Sequence, residues 1–338
     1  MPMPGRAGLL LVALLLCCGA AQALEVGDPA PPLDVKAWVA GKPLTIAEAK
    51  GRLVLVEWFA TWCGDSRRAV PRLNRLQRVY GTHLDIVAVT EEDEAVVRRH
   101  LASVPVAYRV ALDNGIASKR AWMTHVVTTP YAFLVGRDGK IAWRGDPAIG
   151  LYPALADVLA GRYDPARYTK LNETHFAFTH ALKAHKIDEM LRLLDQMIVT
   201  VPEDAWAYHI KLPILRKQRK THDARELYIA MGKRCTSDPD ALAEAARKMA
   251  TVTSLTLRDV PLALTFAQRA AELTRNQEPP ILDILARVHY ELGHLAKAIE
   301  TTTLAAELAT GNDKAVLTRT LDFYRGEQAR RAADPDAK

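Results

Sequence analysis

Cysteine is scarce in this 338-residue chain, which holds four. Two of them, Cys17 and Cys18, sit in the apolar run at the start, which leaves Cys63 and Cys235 for the rest. A pair so far apart in sequence is no evidence for a disulfide. Also missing are a phosphate-binding glycine-rich loop, a dinucleotide fingerprint and a serine nucleophile elbow. No cofactor is therefore expected. His175, His180 and His185 recur every five residues, a spacing that spreads them around a helix rather than along one face, so no metal is expected either.

Long apolar runs are absent after the first 23 residues. The leading segment carries Arg6, an apolar core from Leu9 to Cys18 and the small-x-small pattern Ala21-Gln22-Ala23. It reads as a secretory signal peptide over 1–23. Lipoprotein processing at Cys17 or Cys18 is disfavoured, because Leu16 and Cys17 stand where a small residue is needed. Nothing later approaches the roughly 18 apolar residues of a membrane span, so no stable membrane insertion is expected after cleavage. The formal charge of +6 and pI near 9.1 are spread along the chain. Diffuse charge of that size serves solubility, and no nucleic-acid partner is expected. The basic stretch Lys211 to Arg219 reads as a solvated helix face.

The most informative stretch is Leu53 to Ser66, LVLVEWFATWCGDS. Leu53 to Phe59 is long enough for a strand buried on both faces, yet it holds one carboxylate, Glu57. Trp62 and Cys63 follow, then a helical pattern in which Val70, Leu73, Leu76 and Tyr80 recur, with Pro71 expected to kink it. Strand, turn and helix in that order place Cys63 at a helix N-terminus, where the dipole and free N–H groups favour thiolate. Asp65 opposes that effect and Arg67 and Arg68 support it. Glu57, a lone buried acid, is expected to have a raised pKa and to exchange protons with the sulfur, the alternative being an ion pair with a lysine.

Further elements follow in order. Leu84 to Val89 reads as a strand, and Thr90 with the acids Glu91 to Glu94 as a helix start. Tyr108 to Leu112 reads as a strand, followed by a short helix through Trp122. Tyr131 to Val135 and Lys140 to Trp143 read as a hairpin around Gly136-Arg137-Asp138-Gly139, and Leu151 to Leu159 as a closing helix. Gly161 to Tyr168 reads as a linker. Beyond it strand signals nearly disappear and helix pairs take over. There Leu285, Ala286, Gly293, Ala298, Ile299 and Ala305 are spaced like a tetratricopeptide repeat, and Ala263 and Ala270 precede Ala298 and Ala305 by 35 residues each. An irregular helical bundle is the competing reading.

The N-terminal pattern resembles the thioredoxin superfamily, in particular its periplasmic TlpA-like branch, whose motif is W-C-x-x-C. The resemblance rests on Trp62, Cys63, Glu57, Pro71 and the Pro-rich opening VGDPAPPL. It departs where the second cysteine is Ser66, leaving a C-x-x-S site. The resemblance implies an α/β thioredoxin-like domain over 24–162, and the helix pairs beyond the linker are expected to form an all-α, tetratricopeptide-like domain over 163–338. It also implies that Pro130 is a cis-proline beside the cysteine, although Pro130 taken alone is an ordinary trans proline at a strand start. Cys63, Glu57, Ser66 and Pro130 are then the candidate catalytic residues, and Trp62 and Thr129 the candidate partner-binding ones.

Ser66 offers the sulfur a hydrogen bond but cannot attack a mixed disulfide. The expected function is a periplasmic or secreted monothiol protein that forms mixed disulfides with a protein thiol or disulfide partner. The resolving thiol would come from the partner, a small thiol or Cys235. The helical domain would hold a peptide or protein and so choose the partner. The alternative is a redox-inactive binding module. A one-cysteine peroxidase is weaker, because that pattern has Thr where this chain has Ala60.

Overall fold

The computed structural model describes residues 23–49, 51–124, 126, 128–251 and 258–333. The expected signal peptide, apart from Ala23, and Cys17 and Cys18 lie outside them. A six-stranded sheet organises the first half, built from β1 (Val35–Ala40), β2 (Leu53–Trp58), β3 (Leu84–Thr90), β4 (Arg109–Asp113), β5 (Tyr131–Val135) and β6 (Ile141–Gly145), in the order β1-β4-β3-β2-β5-β6. The β2–β3 and β3–β4 pairs are parallel and the other three antiparallel. Four helices accompany the strands: α1 (Gly64–Tyr80), α2 (Glu94–Ser103), α3 (Ala117–Trp122) and α4 (Leu151–Leu159). This is the thioredoxin-like α/β arrangement that the motif implied.

Central strands β2 and β3 are buried at every position. Alternation then assigns faces. Val54, Val56 and Trp58 face one core with Val87, Val89, Trp122 and Phe133, whereas Leu53 and Leu55 face α1 through Leu73 and Leu76. Glu57 shares the parity of Leu53 and Leu55, so it points to the side of the sheet that α1 covers. β1 has no counterpart in the sequence reading. It is an edge strand with a lysine at its second position and two register irregularities, and such short, half-exposed strands lack the apolar alternation that marks a strand. Helix α1 runs unbroken through Pro71, which lies on its exposed side.

The second half is helical: α5 (Pro165–Lys183), α6 (Ile187–Thr200), α7 (Trp206–Lys217), α8 (Thr221–Arg234), α9 (Pro239–Thr251), α10 (Val260–Leu273), α11 (Pro279–Glu291), α12 (Leu295–Leu308) and α13 (Gly311–Ala333). Asp164 caps α5 by accepting from Ala166 N at 3.0 Å, and Pro165 is its first residue, so the expected linker shortens by the four residues that begin this helix. Asp followed by Pro is itself a helix-start signal, which the linker reading passed over. Ala263, Ala270, Ala298 and Ala305 are fully buried and let the paired helices approach closely.

The two halves share one apolar core, in which Trp143, Leu151 and Tyr152 pack with Tyr168 and Leu171 of α5. Along α1, Arg72, Arg75 and Arg78 recur every three residues and pair across to Asp238, Asp240 and Glu278. Buried ion pairs add little net stability, but they fix register, since removing one partner strands the other charge.

Close packing inside the helical half supports a first expected result. Gly232 of α8 lies under the Phe266 ring of α10, and a β-carbon at 232 would stand 2.2 Å from Phe266 Cε2. Gly232→Ala should therefore destabilise the chain by about 1–3 kcal/mol, the usual cost of overpacking. Gly326→Ala, with open space around it, should be neutral or stabilise by up to about 1 kcal/mol. Denaturant unfolding of both variants measures this, and equal midpoints would refute the packing argument.

Candidate functional site

Cys63 is the N-cap residue of α1, with φ −77° and ψ 121°, and its side chain makes no capping bond. The turn before it is short because Cys63 N donates to Ala60 O at 3.1 Å. The sulfur is 9% exposed as part of its residue and donates to Thr129 O at 3.3 Å. The Thr129–Pro130 bond is cis, as the resemblance implied, and that hydrogen bond places the Thr129 carbonyl, directly before Pro130, beside the sulfur. Trp62, next to the cysteine, is 73% exposed. The structure thus brings Cys63, Thr129 and Pro130 together and presents Trp62 at the mouth of the site.

Ser66 sits in the first turn of α1 and is buried. Its Oγ accepts from Ala60 N at 3.3 Å, and among the described residues it makes no hydrogen bond to Cys63. The expected bond to the sulfur is therefore replaced by one that closes the turn, because the backbone donor of Ala60 would otherwise be buried without a partner. Asp65 is paired with Arg68, and Arg67 Nη1 reaches Thr61 O at 3.4 Å, so these three side chains largely satisfy one another or the loop.

Glu57 is 1% exposed, and its Oε1 has no hydrogen-bond partner. Among the described residues no lysine or other cation pairs with it, which removes the ion-pair alternative. Burial first, then the negative charges of Asp146 and Cys63, push its pKa up to about 8. At neutral pH it is mostly a protonated acid, able to give a proton away. A cavity of about 10 Å³, the room of a single water, is lined by Glu57, Ser66, Arg67, His100 and Tyr108 among others. Such a water would link the buried acid to its polar neighbours.

Three contributors escaped the sequence reading. Glu92 was placed in an acidic helix start, yet α2 begins at Glu94, and Glu92 instead accepts from Thr61 N at 2.6 Å and Thr61 Oγ1 at 2.8 Å. It pins the loop that carries Trp62 and Cys63. Asp146, in the turn after β6, acts on Glu57 through charge, and its own pKa is raised mainly by burial. Tyr108 walls the small cavity, and burial drives its phenol up as well. Only a Gly-Asp-Pro turn signal marked Asp146 in the sequence, and nothing marked the other two.

Cys235, the C-cap residue of α8, is fully buried, and burial followed by Asp238 and Asp204 pushes its thiol up. A neutral, enclosed thiol does not attack a mixed disulfide.

A sheet of this topology, with a cysteine at the N-terminus of α1 facing a cis-proline loop, defines a thioredoxin-like domain. In agreement, residues 25–150 match the Redoxin family model. Protein FixW of Rhizobium leguminosarum is 26% identical over 158 residues, spanning 42% of this chain and 70% of that one. Thiol-disulfide oxidoreductase ResA of Bacillus thuringiensis subsp. konkukian is 26% identical over 145 residues, 39% of this chain and 82% of that one. A solved thioredoxin family thiol:disulfide interchange protein from Chlorobium tepidum TLS is 24% identical, with coverage of 35% and 83% and a TM-score of 0.32. Among the described residues, no helix is long and apolar enough to cross a membrane.

Proposed function

We propose that this chain is a periplasmic or secreted thiol-disulfide protein that works through Cys63 alone, forming mixed disulfides with protein partners. The observation that carries the reading is the placement of the Cys63 sulfur at the start of α1, 3.3 Å from Thr129 O beside Pro130. The Cys63 thiolate attacks one sulfur of a partner disulfide, the partner S–S bond breaks, and the Cys63–partner disulfide forms. The displaced partner thiolate takes up a proton, for which protonated Glu57 is the buried donor. A second thiol, from the partner or a small molecule, then attacks the mixed disulfide, restoring Cys63 and leaving oxidised with the partner sulfur. Burial of Cys235 favours an external thiol for this step.

In the same reading residues 24–162 carry the chemistry, and residues 163–338, as tetratricopeptide-like repeats, hold the partner. Two linked contacts raise the effective concentration of the partner at the second, so a weak helical contact suffices to direct Cys63. The test incubates the full mature chain with a periplasmic extract and identifies disulfide-linked adducts by mass spectrometry. Adducts are expected with the natural chain and absent with Cys63→Ala. Partners captured equally by both forms would leave a redox-inactive binding module as the better reading.

A further inference from the structure

The loop from Asp146 to Gly150 joins β6 to α4 and lies between the buried acid and the helical half. Its position beside Glu57 follows from the sheet: Glu57 pairs with Ala132 on β5, Ala132 pairs with Gly145 on β6, and Asp146 comes next. The loop closes on itself through Ala148 N to Asp146 Oδ1 at 2.8 Å and Ile149 N to Asp146 O at 2.9 Å. Among the described residues its other hydrogen bonds come from Ala154 N of α4, which donates to Gly150 O at 2.9 Å, from Arg72 of α1 and from the helical half.

Asp204, in the connection between α6 and α7, is 3% exposed and accepts from Gly150 N at 2.9 Å. Gly150 has φ +74°, a left-handed conformation that glycine favours, so its N–H is aimed by the backbone itself. Asp238, at the start of α9, accepts from Asp240 N at 3.0 Å and Ala241 N at 3.2 Å and pairs with Arg72. Arg72 in turn donates to Ala148 O at 3.1 Å and reaches Pro147 O at 3.5 Å, with its guanidinium 4.3 Å over the Tyr152 ring. Two buried carboxylates of the helical half thus clasp the loop, one directly and one through an arginine on the helix that starts at Cys63. A structural connection between halves needs only apolar packing, and two desolvated acids are a costly way to provide it.

We propose that Asp204 and Asp238, acting through Gly150 and Arg72, are positioning residues of the thioredoxin-like site, holding the Asp146 carboxyl toward Glu57 so that the helical half tunes the acid serving Cys63. The groups that act on Glu57 or share its cavity are Asp146 from this loop, Cys63 and Arg67 from α1, His100 from α2 and Tyr108 before β4. Of these, Asp146 sits on the loop that Asp204 holds directly, whereas Cys63 and Arg67 lie at the start of α1, which the helical half meets two turns further on at Arg72, Arg75 and Arg78. Its consequence for catalysis rests on the thiol-disulfide reading of Cys63, but its measurement does not.

The experiment titrates the Glu57 carboxyl in the full mature chain by carbon NMR with labelled glutamate, the resonance being assigned with Glu57→Gln. Exchange of the Gly150 amide is followed in parallel. Asp204→Ala, which removes the acceptor, is expected to unprotect Gly150 and lower the Glu57 midpoint by at least about one pH unit, a tenfold loss of proton affinity. Asp204→Asn keeps an acceptor for Gly150 N and should hold the midpoint near its natural value. An unchanged midpoint in Asp204→Ala with Gly150 unprotected would overturn the proposal. So would an equal fall in Asp204→Asn, which would assign the effect to charge alone. Should Asp204→Ala fail to fold, Asp238→Asn keeps the acceptor at the start of α9 but removes the charge facing Arg72, and an unchanged midpoint there overturns the proposal equally. Absence of mixed disulfides alongside the expected shift would sink the proposed function and leave the positioning role standing.

Discussion

Ser66→Cys should make the site cycle far faster than an external thiol allows. The new thiol lies in the first turn of α1, three residues beyond Cys63, and attacks a Cys63 mixed disulfide from within the same chain. At an effective concentration on the order of 1 mM, it outpaces about 1 μM of an external thiol by about a thousandfold. Loss of the Ala60 N bond to Ser66 Oγ costs about 1 kcal/mol, because sulfur is the weaker acceptor. The measurement is disulfide reduction with a recycling reductant, together with the mass of the oxidised variant, which should be lower than that of the reduced one by two hydrogen atoms. If the natural chain already turns over as fast as Ser66→Cys, a resolving thiol exists elsewhere and the monothiol account is wrong.

Replacing Glu57 with glutamine should flatten the dependence of stability on pH. In the folded chain Glu57 holds its proton up to about pH 8, against an ordinary value of 4.5. Between those values the unfolded chain has ionised its Glu57 and the folded chain has not, so the unfolded state binds fewer protons. Stability therefore falls as pH rises through this window and levels off above it, at a total cost on the order of 5 kcal/mol. Asp146 and Asp204 are also pushed up, chiefly by burial, the latter to about 7, and they tilt the curve the same way. The difference between the natural chain and Glu57→Gln isolates the Glu57 share. Urea unfolding at pH 5 and pH 8 should show the variant gaining relative stability at the higher pH. An identical difference at both would mean that Glu57 ionises normally in the fold.

Both results concern residues that stood out in the sequence, and the reason is their locality. Glu57, Cys63 and Ser66 belong to one contiguous strand, turn and helix, so apolar periodicity and the helix start were enough to place the acid in a buried strand and the sulfur at a helix N-terminus, but not to say which side of the sheet the acid faces. Pro130 needed the family resemblance, since no local pattern connects it to Cys63. The bond that Ser66 makes was misread because residue type gives its donors and acceptors but not which buried backbone group is left short of a partner.

What the sequence by itself determined is the α/β half with its C-x-x-S site, the helical second half and the burial of one acid, all of them consequences of local alternation, helical spacing and turn chemistry. Only the tertiary structure decided the rest: the edge strand β1, Glu92 holding the cysteine loop, Asp146 brought two strands across from Glu57, the burial of Cys235, and the hold of Asp204 and Asp238 on the loop beside the site. Arg72 and Asp238 are 166 residues apart. Charged residues at such separations leave no periodic trace in a sequence, because either side chain is equally at home in water until folding removes the water and makes each the other's partner.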